Sequence, residues 1–174
     1  MRHCNPFQAA LLAAVFCVST TAQADIGVGD TFPSLEAAEL SPLQGGVLPA
    51  IGGDVMLVDF WASWCAPCKA SFTALAKLHQ EFSPHGLRIV AVGIDERPAA
   101  AISFLKRTEA PFVVVHDHDR KLVSRVGVPT MPSSYLVDRS GRVRFVHVGF
   151  HGQLDEMRRQ IGQLLAEQAA EGAR

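Results

Sequence analysis

Two cysteines separated by two residues are the part of this sequence best suited to chemistry. Cys65 and Cys68 stand in the run VDFWASWCAPCK, residues 58–69, where a short apolar stretch gives way to an amphipathic one. A thiol at the start of a helix faces unpaired backbone amides and the positive end of the helix dipole, which lower its pKa below about 8.5. We therefore predict that Cys65 is the attacking thiolate. Cys68, one turn further along, is predicted to be the resolving thiol that acts after a mixed disulfide has formed.

A zinc site and a structural disulfide are the alternatives for such a pair. Structural zinc takes four ligands, and the only other cysteines, Cys4 and Cys17, lie near the N-terminus. The run HDHD at 116–119 contains metal-ligating residue types, but it follows a strand and is interpreted as a polar loop. The sequence therefore favours redox catalysis, with no cofactor beyond a Cys65–Cys68 disulfide and no metal.

An acidic residue precedes the cysteines within the apolar stretch. Asp59 lies six residues before Cys65, and burial in a strand should raise the pKa of its carboxyl. Such a carboxyl could accept a proton near neutral pH. The alternative is an aspartate at the end of the strand whose carboxylate reaches water.

Strands that alternate with helices must position these residues. Apolar runs predict strands at 55–60, 87–94, 112–115, 134–137 and 143–148, and intervals of three and four predict helices at 66–82, 98–107, 122–126 and 154–167. In the second helix, Ile102 and Leu105 are expected to face inward. Residues 138–141 predict a hairpin turn between the last two strands. The order predicts a three-layer α/β/α sandwich around a central mixed sheet.

The N-terminal segment is typical of an export signal. Arg2 is followed by an apolar run at 9–18 and by the small-residue cleavage site Ala22-Gln23-Ala24. We predict a signal peptide over 1–24 and one domain over 25–174. The apolar run is shorter than the roughly 20 residues that span a bilayer, so an uncleaved anchor is the less favoured alternative. Residues 25–53, rich in Gly, Pro and Ser, predict an extended entry segment that could form a small hairpin.

Composition and charge narrow the classes of partner. A chain of 174 residues, 48% of them hydrophobic, is typical of one compact domain with its own core. The 16 basic and 17 acidic residues are mixed along the chain and leave a formal net charge of -1. Such a balance provides no field that would attract nucleic acid or an anionic membrane. We expect a monomer that binds no nucleic acid.

The run around Cys65 and Cys68 resembles a thioredoxin active site, and residues 25–174 resemble the TlpA/ResA-like family of exported thioredoxin-fold reductases. The run VPTMPSSY, residues 128–135, is similar to the cis-proline loop of that family, with Pro132 at the cis position. The resemblance implies a thioredoxin-like domain with an N-terminal extension and a cis Pro132 that faces the cysteines. An ordinary trans proline is the alternative.

The resemblance also implies roles for residues near the cysteines. Asp59 matches the buried acid of thioredoxins, which deprotonates the resolving cysteine. Glu96 resembles the active-site glutamate of ResA-like proteins, with an acid at a helix start as the alternative. Met131 would offer its backbone to a substrate strand, and Trp64 would pack over the site. The predicted substrate-binding residues are Trp64, Met131, Ala66 and Pro67.

The function implied by the resemblance is that of a periplasmic thiol-disulfide oxidoreductase that reduces disulfides in exported proteins. The implied substrates are the haem-attachment cysteines of apocytochrome c or thiols of copper-site assembly proteins. Electrons would come from a membrane-embedded thiol carrier. The alternatives are a thiol oxidant and a copper-binding metallochaperone that uses the same cysteines. Ser71 and Thr73 replace a Glu and a Pro of the family, so the first helix is expected to run straight.

Overall fold

The computed structural model describes residues 25–172, with side chains described as far as Glu167, so the predicted signal peptide at 1–24 lies outside the described residues. The strands are β1 (Ser41–Gln44), β2 (Val55–Trp61), β3 (Leu87–Gly93), β4 (Val113–His116), β5 (Ser133–Val137) and β6 (Val143–Val148). The helices are α1 (Cys68–Phe82), α2 (Pro98–Leu105), α3 (Lys121–Val126) and α4 (Leu154–Gly172). Between residues 25 and 172, no helix has both the length and the apolar character needed to cross a bilayer.

The six strands form one mixed sheet in the order β1-β4-β3-β2-β5-β6. The pairs β2–β3 and β3–β4 are parallel, and the other three pairs are antiparallel. All seven residues of β2 are buried, as expected for a strand that is covered on both faces. Leu57 and Trp61 join the core beneath α1, α2 and α4, whereas Val58 and Phe60 join the core beneath α3 and the N-terminal segment. The predicted three-layer sandwich is therefore confirmed.

Two expectations about this architecture are wrong. Residues 41–44 form no hairpin within the entry segment but pair with β4 as an edge strand, because β4 offers unpaired backbone groups there. In α2 the buried residues are Ala101 and Phe104; Leu105 is half-buried and packs against the core as expected, whereas Ile102 is 42% exposed and the expectation for it is wrong. The ring of Phe104 packs against Trp61 and Phe72 on this face of the helix, and Ile102 lies outside that contact.

An aromatic cluster supports the sheet face beneath the first helix. The rings of Trp61 and Phe72 have centroids 4.8 Å apart, and Phe104 lies 4.8 Å from Trp61 and 5.2 Å from Phe72. Gly93 is opposite Trp61 in the sheet, and a Cβ there would lie 3.3 Å from the indole. A side chain at this position would therefore press against the indole of Trp61. Cys65 and Cys68 belong to the same core.

Candidate active site

The two cysteines form a disulfide at the junction between β2 and α1. The sulfurs are 2.07 Å apart and the Cα atoms 5.4 Å apart. Helix α1 begins at Cys68, two residues later than predicted, because the N–H of Cys68 is already bonded to the Cys65 carbonyl in a tight turn at 3.2 Å. Cys65 therefore lies just before the helix rather than in its first turn.

Both cysteines are buried, and Cys65 is the more accessible of the two. Cys65 is 6% exposed, whereas Cys68 is completely buried. The first turn of α1 contains no acidic residue, so nothing there offsets the positive end of the helix dipole beside Cys65. When the disulfide is reduced, this position favours the thiolate form of Cys65. The assignment of attacking and resolving roles stays a prediction.

Asp59 is fully buried at the centre of β2, so the alternative in which its carboxylate reaches water is wrong. Strand side chains alternate in direction, so Asp59 faces the same side of the sheet as Leu57 and Trp61, the side whose core contains both cysteines. Burial raises the pKa of Asp59 to about 7, and a hydrogen bond from Ser134 opposes this rise. The carboxyl can therefore exchange a proton near neutral pH on the side of the sheet where the cysteines lie.

A hydrogen-bond network holds the loop that leads to Cys65, and its central residue was not recognised from the sequence. The Asp95 carboxylate accepts a bond from the Ser63 hydroxyl at 2.6 Å and one from the Ser63 N–H at 3.0 Å. The His116 ring contacts the Asp95 carbonyl oxygen at 2.6 Å. The network joins the carboxyl ends of β2, β3 and β4. The signal that could have identified Asp95 is its position just after the buried strand β3. The carboxyl ends of parallel strands meet at one edge of the sheet, so an acid there can reach the ends of neighbouring strands.

Only the second half of the HDHD run, residues 118–119, is exposed to solvent. His116 and Asp117 are buried, which contradicts the interpretation of the whole run as a polar loop, while His118 and Asp119 are exposed. The Asp117 carboxylate accepts bonds from the first amides of α3, at Leu122 and Val123. Asp117 therefore satisfies backbone groups at a helix start. Within residues 25–172, no three His, Cys, Asp or Glu side chains come together in a way that could hold a metal ion.

Glu96 and Trp64 both line a cavity of about 490 Å³ beside the cysteine loop. The Glu96 carboxylate is largely exposed and lies 3.8 Å from the Arg120 guanidinium. Trp64 directly precedes Cys65 and is 67% exposed, so its indole stands mainly in solvent. Trp61, by contrast, is core. The predicted roles of Glu96 in proton transfer and of Trp64 in substrate binding remain predictions.

The predicted cis-proline loop is present. The Met131–Pro132 peptide bond is cis, as predicted, and Pro132 is buried. Met131 is half-buried and packs against the core cluster that contains both cysteines. Ala66 and Pro67, between the cysteines, are exposed. These residues leave an accessible surface around Cys65, and contact of Met131, Ala66 and Pro67 with a substrate stays a prediction.

Replacing Asp59 by asparagine should change how stability depends on pH. The carboxyl has a pKa of about 7 in the folded protein against an ordinary 3.8, so the folded state binds the proton more tightly. Stability therefore falls as the pH rises from about 4 to about 7 and then levels off. For the oxidised protein we expect this group to remove about 3 kcal/mol between roughly pH 5 and pH 8, a loss that Asp59→Asn lacks.

Urea unfolding of both proteins at several pH values measures this difference. Asp54→Asn removes a carboxylate from the surface, where it pairs with Arg88 at 3.0 Å, and so controls for the loss of one charge. Parallel stability curves for the wild type and Asp59→Asn would show that the buried carboxyl does not titrate in this range.

Comparison with known proteins identifies a family and several relatives of this chain. A family model described as Redoxin matches residues 27–161. The thiol-disulfide oxidoreductase ResA of Bacillus subtilis (strain 168) is 33% identical over 102 residues, which are 59% of this chain and 57% of that protein. ResA of Geobacillus thermodenitrificans is 26% identical over 141 residues, 81% of this chain and 80% of that protein. The chain therefore spans little more than half the length of the Bacillus subtilis relative.

One solved structure matches a larger share of this chain than the Bacillus subtilis relative does. It is the crystal structure of a Chlorobium tepidum protein assigned as a thiol:disulfide interchange protein DsbE. This chain is 33% identical to it with a TM-score of 0.74, and the match covers 81% of this chain and 99% of that one.

Proposed function

This chain belongs to the Redoxin family as a TlpA/ResA-like member with a thioredoxin-like fold, and from that premise we propose that it is a thiol-disulfide oxidoreductase acting through Cys65 and Cys68. The observation that carries the proposal is the Cys65–Cys68 disulfide at the start of α1, in which Cys65 is slightly exposed and Cys68 is completely buried. Two further features support it: Asp59 is buried on the side of the sheet where the cysteines lie, and Met131 of the cis-proline loop packs against the core that contains them.

The cycle begins with the reduced protein. The Cys65 thiolate attacks a disulfide of the substrate, forms a mixed disulfide and releases one substrate thiolate. Asp59 accepts the proton of Cys68, and the Cys68 thiolate attacks the Cys65 sulfur. The Cys65–Cys68 disulfide forms, and the second substrate thiolate leaves and is protonated. Two electrons pass from the protein to the substrate, and no cofactor takes part.

In this proposal the protein works as a reductant. The Ala66-Pro67 pair between the cysteines supports this direction, because it resembles the Gly-Pro of reducing thioredoxins. Thioredoxin-fold proteins span potentials from about -270 mV for reductants to about -120 mV for strong oxidants, and 30 mV corresponds to about 1.4 kcal/mol. A measured redox potential can therefore distinguish a protein at the reducing end of this range from one at the oxidising end.

The proposed setting is the periplasm, reached through the signal peptide at 1–24, with the protein acting as a monomer. The proposed substrates are disulfides in exported proteins, such as the haem-attachment cysteines of apocytochrome c or thiols of copper-site assembly proteins. A reductant in an oxidising compartment needs a supply of electrons, so we propose a membrane-embedded thiol carrier as the donor.

A redox titration of the Cys65–Cys68 pair in buffers of glutathione and of dithiothreitol tests the direction of electron flow. We expect a potential below about -200 mV and rapid reduction of insulin in the presence of dithiothreitol. A potential above about -150 mV, with fast oxidation of a reduced unfolded protein, would make the chain a thiol oxidant. Copper that stays bound through gel filtration, with little turnover, would favour the metallochaperone.

A further inference from the structure

Three polar side chains form a row across the sheet on the face that carries the cysteines. Asp59 on β2 is opposite Ser134 on β5, and Ser134 is opposite His147 on β6. Residues that face each other across neighbouring strands point to the same side of the sheet. Ser134 is buried, and its hydroxyl donates a hydrogen bond of 2.6 Å to Oδ1 of Asp59.

This bond makes the two oxygens of the Asp59 carboxyl different. Oδ1 is occupied by the Ser134 hydroxyl, whereas Oδ2 has no hydrogen-bond partner among the described residues. A carboxylate held through one oxygen cannot rotate freely, and the unoccupied oxygen is the more basic of the two. A proton that reaches Asp59 is therefore expected at Oδ2.

We propose that Ser134 is a positioning residue for the exchange reaction, whose hydroxyl holds Asp59 through Oδ1 so that Oδ2 takes the proton of Cys68. This inference rests on the proposed function and adds to it a partner for the buried acid. In the step concerned, the S–H bond of Cys68 breaks and an O–H bond forms at Oδ2. The Cys68 sulfur then forms the bond to Cys65, and the substrate thiolate leaves with its electron pair.

Among the described residues, Ser134 is the principal polar contact of the Asp59 carboxyl. Burial and the bond from Ser134 account for the pKa shift of Asp59, with no contribution from a charged neighbour. On the adjacent strand β3, the residue opposite Asp59 is Ala91. The hydrophobic core on this side of the sheet also contains Cys65 and Cys68, which titrate once the disulfide is reduced. Beyond Ser134, His147 lies with its Nε2 2.7 Å from the Gln160 side chain of α4.

The resolving step can be followed alone with 5,5′-dithiobis(2-nitrobenzoate). The reduced protein releases one thionitrobenzoate when Cys65 attacks and a second when Cys68 resolves the mixed disulfide. In stopped-flow measurements across pH, we expect the rate of the second release in the wild type to rise with a midpoint near the Asp59 pKa of about 7. Asp59→Asn should lack this midpoint.

Ser134→Ala removes a hydrogen bond to the ionised carboxylate. We expect the midpoint of the second release to move up by about one pH unit, which slows that release about fivefold at pH 7. Ser134→Thr keeps a hydroxyl and should restore the wild-type midpoint. Ser140→Ala is the matched control, because Ser140 also donates a hydrogen bond of 2.6 Å to an aspartate Oδ1, that of Asp138 in the turn between β5 and β6, and the midpoint of this variant should equal that of the wild type.

Two results would overturn the role of Ser134 while leaving the exchange reaction in place. One is a wild-type midpoint in Ser134→Ala. The other is loss of the pH midpoint of the second release in His147→Gln, because the pH dependence would then come from the histidine. The proposed function fails in a different way, when the wild-type protein releases no second thionitrobenzoate at any pH.

Discussion

Replacing Cys65 by serine should abolish reduction of disulfides by this protein. A serine hydroxyl is not ionised at neutral pH and is a far weaker nucleophile than a thiolate, and Cys68 is completely buried and cannot take over the attack. We expect the rate of insulin reduction in the presence of dithiothreitol to fall by about 10³-fold or more, to the level of dithiothreitol alone.

The fold of the Cys65→Ser protein is checked by comparison with the reduced wild type, since both lack the disulfide. Their unfolding transitions in urea should be similar. A Cys65→Ser protein that is folded and retains a tenth or more of the wild-type rate would show that Cys65 is not the attacking thiol.

Replacing Cys68 by serine should stop the reaction one step later. Cys65 can still attack a substrate disulfide, but no thiol remains to resolve the mixed disulfide that results. We expect turnover to fall by about 10²-fold or more and covalent complexes to accumulate. Cells that express the full chain with Cys68→Ser should therefore contain complexes that appear on non-reducing gels and disappear with dithiothreitol. Mass spectrometry of these complexes identifies the substrates.

The double variant with Cys65→Ser and Cys68→Ser is the matched control for this trapping experiment. It has the same surface and the same fold, but no thiol among the described residues. Complexes that appear equally with the double variant would not come from the exchange reaction. If the Cys68→Ser protein captures nothing in the compartment where it accumulates, the proposed function is contradicted.

The two acidic residues after β3 show that a sequence pattern does not predict which of two neighbouring side chains is buried. Two acidic residues follow β3, and the resemblance to a family favoured Glu96, whereas the structure buries Asp95 and leaves Glu96 largely exposed. Neighbouring residues after a strand point in different directions, and which one turns inward depends on the adjacent strand end. Ser63 at the end of β2 provides the partner that holds Asp95.

The sequence by itself predicted the cysteine pair as the candidate reaction centre and most of the elements that position it. Two cysteines at a strand-to-helix junction and an acid within an apolar strand are local features, whereas the cis Pro132 was implied by the resemblance to a family. They can be recognised because the periods of strands and helices, about 2.0 and 3.6 residues, are set by each segment alone.

Only the tertiary structure decided which distant groups meet. Ser134 lies 75 residues from Asp59 in the chain, and their hydrogen bond exists because β5 pairs with β2 in one register. The pairing of β1 with β4 likewise depends on an open sheet edge, and the burial of Phe104 depends on the rings of Trp61 and Phe72 that it packs against. A segment's own periodicity contains no information about its partner, so contacts of this kind follow from packing.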